Sequence, residues 1–525
     1  MSAVIGITFG NTSSSIAVAG GDGKVDVIAN PDGDRSIPSV LSYVGEDEYH
    51  GTQAKSQLIR NAKNTIINFR DFVGKKFEEV DTSVSKVGAP AIKTEDGGIG
   101  YEITRADDKV EIVTVEEATR RHFIQLKRAA EDYIGKKVES VVLTVPTDFT
   151  EKQREEISKV ANNAGLKVLQ LINEPSSALL AHLSSNDDRL LEDKVFVVAD
   201  FGGIRSDAAV VSVRGGVFTI LATAHEKGLG GEQLDDALAE FFAKEFEKKF
   251  KANPRTNARS LAKLKAESIV VKKTLSNVNT SSCSIESLAE GYDFLTSINR
   301  LRYELAAKTV LSNLTAFVEK AVTKAGLETL DIDEVLLVGG TSHTPKLASN
   351  VQFIFPESTV IVSPALDSKA INPAELVSRG AALQASLIES FDEEEIKESL
   401  QPVVVNTQHI SKPIGIKDAE EVTNGEASAV HIELFEGKRT VKETVVEPEQ
   451  DSDESEDEDS DEEPEIRKDV VYVAGDLLAE LSLKDLKPNS KLEVIVNITQ
   501  NGTLHVSGRE LKPGSVAVKG EISSA

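Results

Sequence analysis

The 525-residue chain is short of the residues on which several common designs depend. It has one cysteine, Cys283, one methionine and no tryptophan. A single cysteine excludes an internal disulfide, and nothing in the sequence suggests an oxidising compartment. Long apolar runs are missing too: no stretch approaches the ~20 residues of a membrane-spanning helix. The opening "MSAVIGITFG" carries neither a basic segment nor a long apolar one, so no secretory leader is expected. The closing "GEISSA" carries no retention or peroxisomal address. Positive charge is scarce: 59 Lys and Arg against 86 Asp and Glu give a net charge of −27. That balance argues against nucleic-acid binding by the chain as a whole. There is no G-x-x-x-x-G-K-[ST], so this is not a P-loop protein. A cytoplasmic protein with no membrane partner is the expectation.

What is present reads as a soluble globular chain, 40% hydrophobic and 28% charged. Strand-like and helix-like segments alternate in its first part, which implies α/β layers. Residues 115–134 place Ala118, Phe123, Leu126, Ala130 and Tyr133 near one helical face. Thr150 and Gln153 fit a capping box opening a helix that Gly165 closes. Two stretches share a layout of apolar strand, polar residue, Phe-Gly turn and second apolar strand: "VIGITFGNTSSSIAV" (4–18) and "FVVADFGGIRSDAAVVSV" (196–213). They predict the opening hairpins of two related lobes with a cleft between.

The character changes after residue 391. Residues 392–401 are acidic and precede Pro402, as a linker would. Residues 402–525 hold several strand-like pieces, and Asn501–Gly502 predicts a tight hairpin. Within them, residues 447–465 carry 13 of the acids and no Lys or Arg, leaving −14 for the remainder. Such a run cannot bury enough apolar surface to fold and is expected to be disordered. A second charged stretch, 248–265, contains Lys248, Lys249, Lys251, Arg255, Arg259, Lys263 and Lys265. With Phe250 as its one aromatic it suits a solvated helical face better than an RNA contact, which stays open.

Four Gly-containing turns join the apolar strands: "TFGNTSS" (8–14), "DFGGIRSD" (200–207), "GLGGEQLD" (228–235) and "LLVGGTSHTP" (336–345). Turns of this kind expose backbone N–H groups, and converging N–H groups make a concavity for phosphate oxygens. One would mean little; four in this order across two lobes mean much more.

Those turns, with "VLTVPTDFTEKQREEISKVANNAGLKVLQLINEPSSALLAH" (142–182) and "VNITQNGTLHVSGREL" in the β-rich part, resemble the seventy-kilodalton heat-shock chaperone family of actin-like ATPases. The resemblance runs from residue 4 over nearly the whole chain. It implies a two-lobed actin-like nucleotide-binding domain at 1–391, then a truncated β-sandwich-like domain without a helical lid. ATP is the implied cofactor, and whether magnesium accompanies it stays open. Gly10, Asn11 and Thr12 fall in the first phosphate turn. Gly202, Gly203, Gly230, Gly231, Gly339 and Gly340 match phosphate and nucleoside contacts. Lys272, Lys273 and Ser276 match residues around the adenosine, and His343 stands where an arginine stacks on the base. Glu174, Asp200 and Arg70 match catalytic-cleft positions, without being assigned a catalytic role here.

The departures from the family pattern gather at the phosphates. Thr8 replaces an acidic residue and Asn11 a hydroxyl. Arg70 stands in place of the catalytic lysine, and Ile204–Arg205 in place of a Gly-Thr pair. Ile269 replaces a ribose-binding glutamate. Phosphoryl transfer depends on positioning, and errors of about 1 Å can cost roughly a hundredfold, so turnover should suffer more than binding. These losses resemble the branch of the family that forms a stable heterodimer with a zuotin-like J-domain co-chaperone on the ribosome. That branch helps a second chaperone of the same family to receive nascent chains. An ordinary ATP-hydrolysing peptide-binding chaperone is the first alternative. An actin-fold metabolite kinase is the second, against which the β-rich stretch speaks.

Overall fold

Two hairpins organise the first part of the chain. In the first, strands Ala3–Phe9 and Ser13–Ala19 run antiparallel, and the turn closes with the Gly10 N–H donating to the Ser13 carbonyl at 3.0 Å. In the second, strands Lys194–Phe201 and Arg205–Arg214 do the same, with Gly202 N–H donating to the Arg205 carbonyl, also at 3.0 Å. The computed structural model describes residues 3–389 apart from 21–22, 86 and 185–192, then 391, 394–396, 414–416, 420–424, 427–446, 465–486, 490–499, 503–512 and 514–522. It divides into two compact units, residues 1–396 and 397–525.

The sheets around the two hairpins have the same order. In the first lobe it is Lys167–Asn173, Val138–Val145, Ala3–Phe9, Ser13–Ala19, Val25–Ile28. In the second it is Val360–Val362, Glu334–Val338, Lys194–Phe201, Arg205–Arg214, Val217–Lys227. In each, the first hairpin strand pairs in parallel with the strand that follows a long crossover, the outermost strand beyond that one is parallel too, and the pairs on the hairpin's other side are antiparallel. Parallel pairing requires such crossovers, and here they carry the helices. The repeat anticipated from the sequence is therefore a repeat of topology.

Local signals account for several boundaries. Helix Val115–Ile134 starts with Thr114 Oγ1 accepting from the Glu117 N–H at 3.1 Å and ends on Gly135 in the left-handed region. Ala118, Phe123, Leu126 and Ala130 are buried as expected, but Tyr133 is 55% exposed and Ala129 faces inward instead. Thr150 and Gln153 form the capping box of helix Glu151–Asn163, a device worth about 1 kcal/mol. Gly165 follows that helix at φ +79°, as a terminating glycine should.

The second lobe holds a buried ion cluster on strand Glu334–Val338. Glu334 accepts from Lys194 Nζ at 2.9 Å and lies 3.0 Å from His182 Nε2. Burial opposes ionisation of this carboxyl, but His182 and Lys194 outweigh it and hold the pKa at about 2, against an ordinary 4.5. A carboxylate lowered in the folded state stabilises above its unfolded pKa and loses that contribution as pH falls through the folded one. Stability is thus expected to fall from about pH 4.5 towards 2. Glu334→Gln should flatten that limb in acid unfolding followed by circular dichroism.

The basic stretch at 248–265 is largely paired. Lys248 bonds Glu245, and Arg255 bonds Glu240 and Glu247. Lys263 donates to the Glu286 and Ser287 carbonyls, and Lys265 meets Asp236. Lys249 lies over the Phe250 ring. Of these, Arg255 and Lys265 serve the joint between helices Gly231–Phe250 and Ala258–Asn277.

The second unit is all β among its described residues. Its core is Ile432, Leu434, Leu481, Leu483, Leu486, Leu504 and Val506. Strands Leu492–Ile498 and Leu504–Glu510 pair antiparallel, as the expected hairpin requires, while Asn501 and Gly502 lie outside the described residues. Two of the strand-like pieces belong to much longer strands, Ala427–Val446 and Glu465–Leu486, paired along their length. The expected disordered segment 447–465 joins their far ends and, up to residue 464, lies outside the described residues. So does most of the expected linker, of which 394–396 are helical.

Candidate functional site

The two hairpin turns meet at the floor of the cleft between the lobes. A Cβ on Gly203 would stand 2.4 Å from Thr12 Cγ2, so the turns touch and the contact needs glycine. The Gly202 carbonyl accepts from the Gly231 N–H and from Thr341 Oγ1, both at 2.9 Å, and the Gly203 carbonyl accepts from Glu232 N–H at 2.8 Å. The second hairpin is thereby tied to the start of helix Gly231–Phe250. A Cβ on Gly230 would meet the Gly202 and Gly203 carbonyls at 2.7 Å. One on Gly339, at φ +83°, would meet Asp200 Oδ1 at 2.4 Å. These glycines serve close backbone approach, whereas Gly340 borders open space.

Arg70 is 4% exposed and its guanidinium meets acids and a main-chain carbonyl. Nε donates to Asp71 Oδ1 at 2.8 Å and Nη2 lies 2.8 Å from the same oxygen. Nη1 donates to Glu174 Oε1 at 3.1 Å and to the Phe9 carbonyl at 3.4 Å. Phe149 lies under it, with the ring centroid 5.7 Å away. Glu174 opens helix Glu174–Leu183, where a carboxylate also suits the helix dipole, so its helix-start role and its cleft role coexist. Asp71 is shared with Arg205. Burial alone would push its carboxyl up, but Arg70 and Arg205 hold it well below the ordinary range.

Glu174 and Asp200 line one small cavity of ≈ 20 Å³, about the room of one water, with Thr147, Asp207 and Val338. Burial pushes both carboxyls above their ordinary values, and nearby acids reinforce it: Asp200 and Asp207 for Glu174, Asp207 for Asp200. Acids outnumber the two arginines here, so protons stay on this pair to a higher pH.

Asn11 Oδ1 accepts from the Asp71 N–H at 3.2 Å, while its Nδ2 is buried without a partner. An orphaned donor in a phosphate-type turn fits an anion contact. Thr8 Oγ1 accepts from Thr144 Oγ1 at 3.3 Å. On the far wall, Lys272 Nζ donates to the Gly231 carbonyl and meets Asp235 Oδ1, each at 2.8 Å. Ser276 Oγ donates to the Lys272 carbonyl of its own helix, and Lys273 is exposed. His343 Nε2 lies 3.0 Å from Asn372 Oδ1, away from the arginine cluster. The sequence-derived residues thus separate into a cluster around the two hairpin turns and Arg70, and a wall bearing Lys272, Lys273 and Ser276. Sequence reasoning missed Asp71, Asp148, Asp207 and His225, all partners of the arginine cluster; Asp71 adjoins the conspicuous Arg70 and was the most findable.

Comparison with known sequences fits this geometry. A sequence model described as "Hsp70 protein" matches residues 4–518. The chain belongs to the Hsp70 family. Among curated Hsp70 relatives, the Ribosome-associated complex subunit SSZ1 of Saccharomyces cerevisiae is 51% identical over 99% of this chain and 100% of its own length. A heat shock protein 70 homolog of Schizosaccharomyces pombe is 45% identical over 99% of this chain and 96% of its own. Heat shock 70 kDa protein 14 of Danio rerio is 30% identical over 100% of this chain and 99% of its own. Nucleotide binding is the property this membership implies. No helix among the described residues is long and apolar enough to cross a membrane.

Proposed function

We propose that this Hsp70-family protein is a cytoplasmic, ribosome-associated chaperone subunit that binds ATP and hydrolyses it weakly or not at all. It would form a stable heterodimer with a zuotin-like J-domain partner and help a second Hsp70-family chaperone act on nascent chains. ATP would then be a structural ligand that stabilises the nucleotide-binding unit by mass action. The trimmed β-rich unit would offer the docking surface for the partner.

One observation carries the proposed loss of turnover: Nε and Nη1 of Arg70 are committed to Asp71, Glu174 and a main-chain carbonyl. A guanidinium fixed by carboxylates cannot shift to follow charge developing on a transferred phosphoryl group, which is where such catalysis arises. The unpartnered Asn11 amide, the open side of Gly340, and Lys272 with Lys273 support the reading that ATP still binds. End-to-end identity of 51% to a protein named as a ribosome-associated complex subunit supports the ribosomal part.

Purification of the tagged chain from its host tests that part. Co-sedimentation with ribosomes together with a J-domain protein is the expected outcome. A chain that sediments free, without such a partner, contradicts it.

A further inference from the structure

Arg205 bridges the two lobes through acids on both sides. It starts strand Arg205–Arg214 of the second lobe and is 5% exposed. Nη1 donates to Asp71 Oδ2 at 2.9 Å and Nη2 donates to Asp148 Oδ1 at 3.0 Å, both on the first lobe. Nε donates to Asp207 Oδ2 of its own lobe at 2.7 Å, and Nη2 also pairs with Asp207 Oδ1. His225 Nδ1 lies 2.6 Å from that same oxygen. Asp148, Asp207 and His225 bring ligand atoms within 4.8 Å of one another, a spacing that would attract a metal cation. The Arg205 guanidinium bonds both carboxylates of that set.

We propose that Arg205 is a built-in latch that keeps the cleft closed without nucleotide. A two-lobed nucleotide-binding domain ordinarily closes when a ligand bonds to both lobes. Here one planar, permanently charged fork makes the equivalent bonds from inside the chain. Side-chain exposures of 6% for Arg205 and 14% for Asp71 limit solvent screening. The Gly203–Thr12 contact nearby leaves no gap for the pair to span. Three further cations face this set: Arg70, which shares Asp71, Lys227, opposite Arg205 in the strand register, and Lys75, on which Lys227, Asp71, Asp148 and Arg205 all act. The latch does not depend on the loss of hydrolysis: a chain that cuts ATP could carry it as well.

Spin labels on the full chain test it, at Asp47→Cys and Glu290→Cys in a Cys283→Ser background. Both positions are exposed, one on each lobe. The nucleotide-free protein is expected to give one narrow distance that ATP leaves unchanged. Arg205→Ala should broaden and lengthen it without nucleotide. It should also raise amide exchange around Gly228–Gly231 by about tenfold, with millimolar guanidinium ion restoring the narrow distance. If Arg205→Ala does not fold, Asp148→Ala, which removes one first-lobe arm, should give a smaller broadening. A nucleotide-free distribution already broad and narrowed by ATP, or an unchanged distance in whichever of these variants folds, would overturn the latch.

Discussion

Arg70→Ala is expected to destabilise the nucleotide-binding unit by about 3–5 kcal/mol, the usual cost of removing one partner from a buried ion pair. Its guanidinium serves two carboxylates and a main-chain carbonyl at once, and three of those four bonds are 2.8–3.1 Å. Without it, Glu174 keeps burial and the acids Asp200 and Asp207 but loses its counter-charge. Asp71 would still have Arg205, so Glu174 carries most of the expense and is driven further towards its protonated form. Acidification should therefore narrow the gap between variant and parent, because neutral carboxyls need no cation. Arg70→Met retains much of the packing on Phe149 and should recover little, which separates charge from shape. Arg70→Lys should fall between, since an ammonium cannot reproduce the two-pronged contact with Asp71. Thermal unfolding at neutral and mildly acid pH reads all three.

Gly380→Ala should cost about 3 kcal/mol or more, at or beyond the upper end for overpacking. Helix Leu376–Glu389 crosses helix Glu174–Leu183 so closely that a Cβ on Gly380 would stand 1.7 Å from the Ser177 carbonyl oxygen. Ser177 Oγ donates to the Val377 carbonyl at 2.6 Å, locking the two backbones together. The obstacle is backbone, so no rotamer change relieves it. Alanine is the better helix former by about 1 kcal/mol, which offsets only part of the clash. The same helix meets the first hairpin strand, where a Cβ on Gly6 would reach Ala382 N at 2.3 Å. Displacing it would disturb the start of helix Glu174–Leu183, and with it Glu174. Equilibrium unfolding in urea, with loss of ATP affinity in parallel, is the expected pattern. Gly415→Ala, with open space around its Cβ, serves as the neutral control.

These two positions divide what could be read in advance from what could not. The hairpin echo was legible because a strand, a turn glycine and a second strand are contiguous, and both turns close through the same bond. Thr150 and Gln153 were legible because a capping box lies within four residues. Arg70, Glu174, Asp200 and Arg205 stood out against a family pattern. Their partners did not: Asp148 and His225 come from separate segments that tertiary folding brings to Arg205 and Asp207, and although Asp71 adjoins Arg70, its bond to Arg205 is made only in the fold. Gly380 gave no signal, since a glycine in an apolar helix announces neither its neighbour nor the distance. The long strands Ala427–Val446 and Glu465–Leu486 were seen as short pieces because Gly437 and Gly475 interrupt the alternation, where the paired register shifts. Tyr133 was assigned by angle alone, near a helix end where the core no longer covers that face.

The phosphate-side arrangement leads to one expectation about chemistry. Arginines held by carboxylates favour a cleft that retains ATP rather than one that cuts it. Single-turnover analysis tests this most directly, using the purified chain preloaded with radiolabelled ATP beside an ordinary Hsp70 under the same conditions. ATP recovered intact from this chain, long after the ordinary Hsp70 has converted its own to ADP, is the expected result. ADP formed at matching rates in both would contradict it.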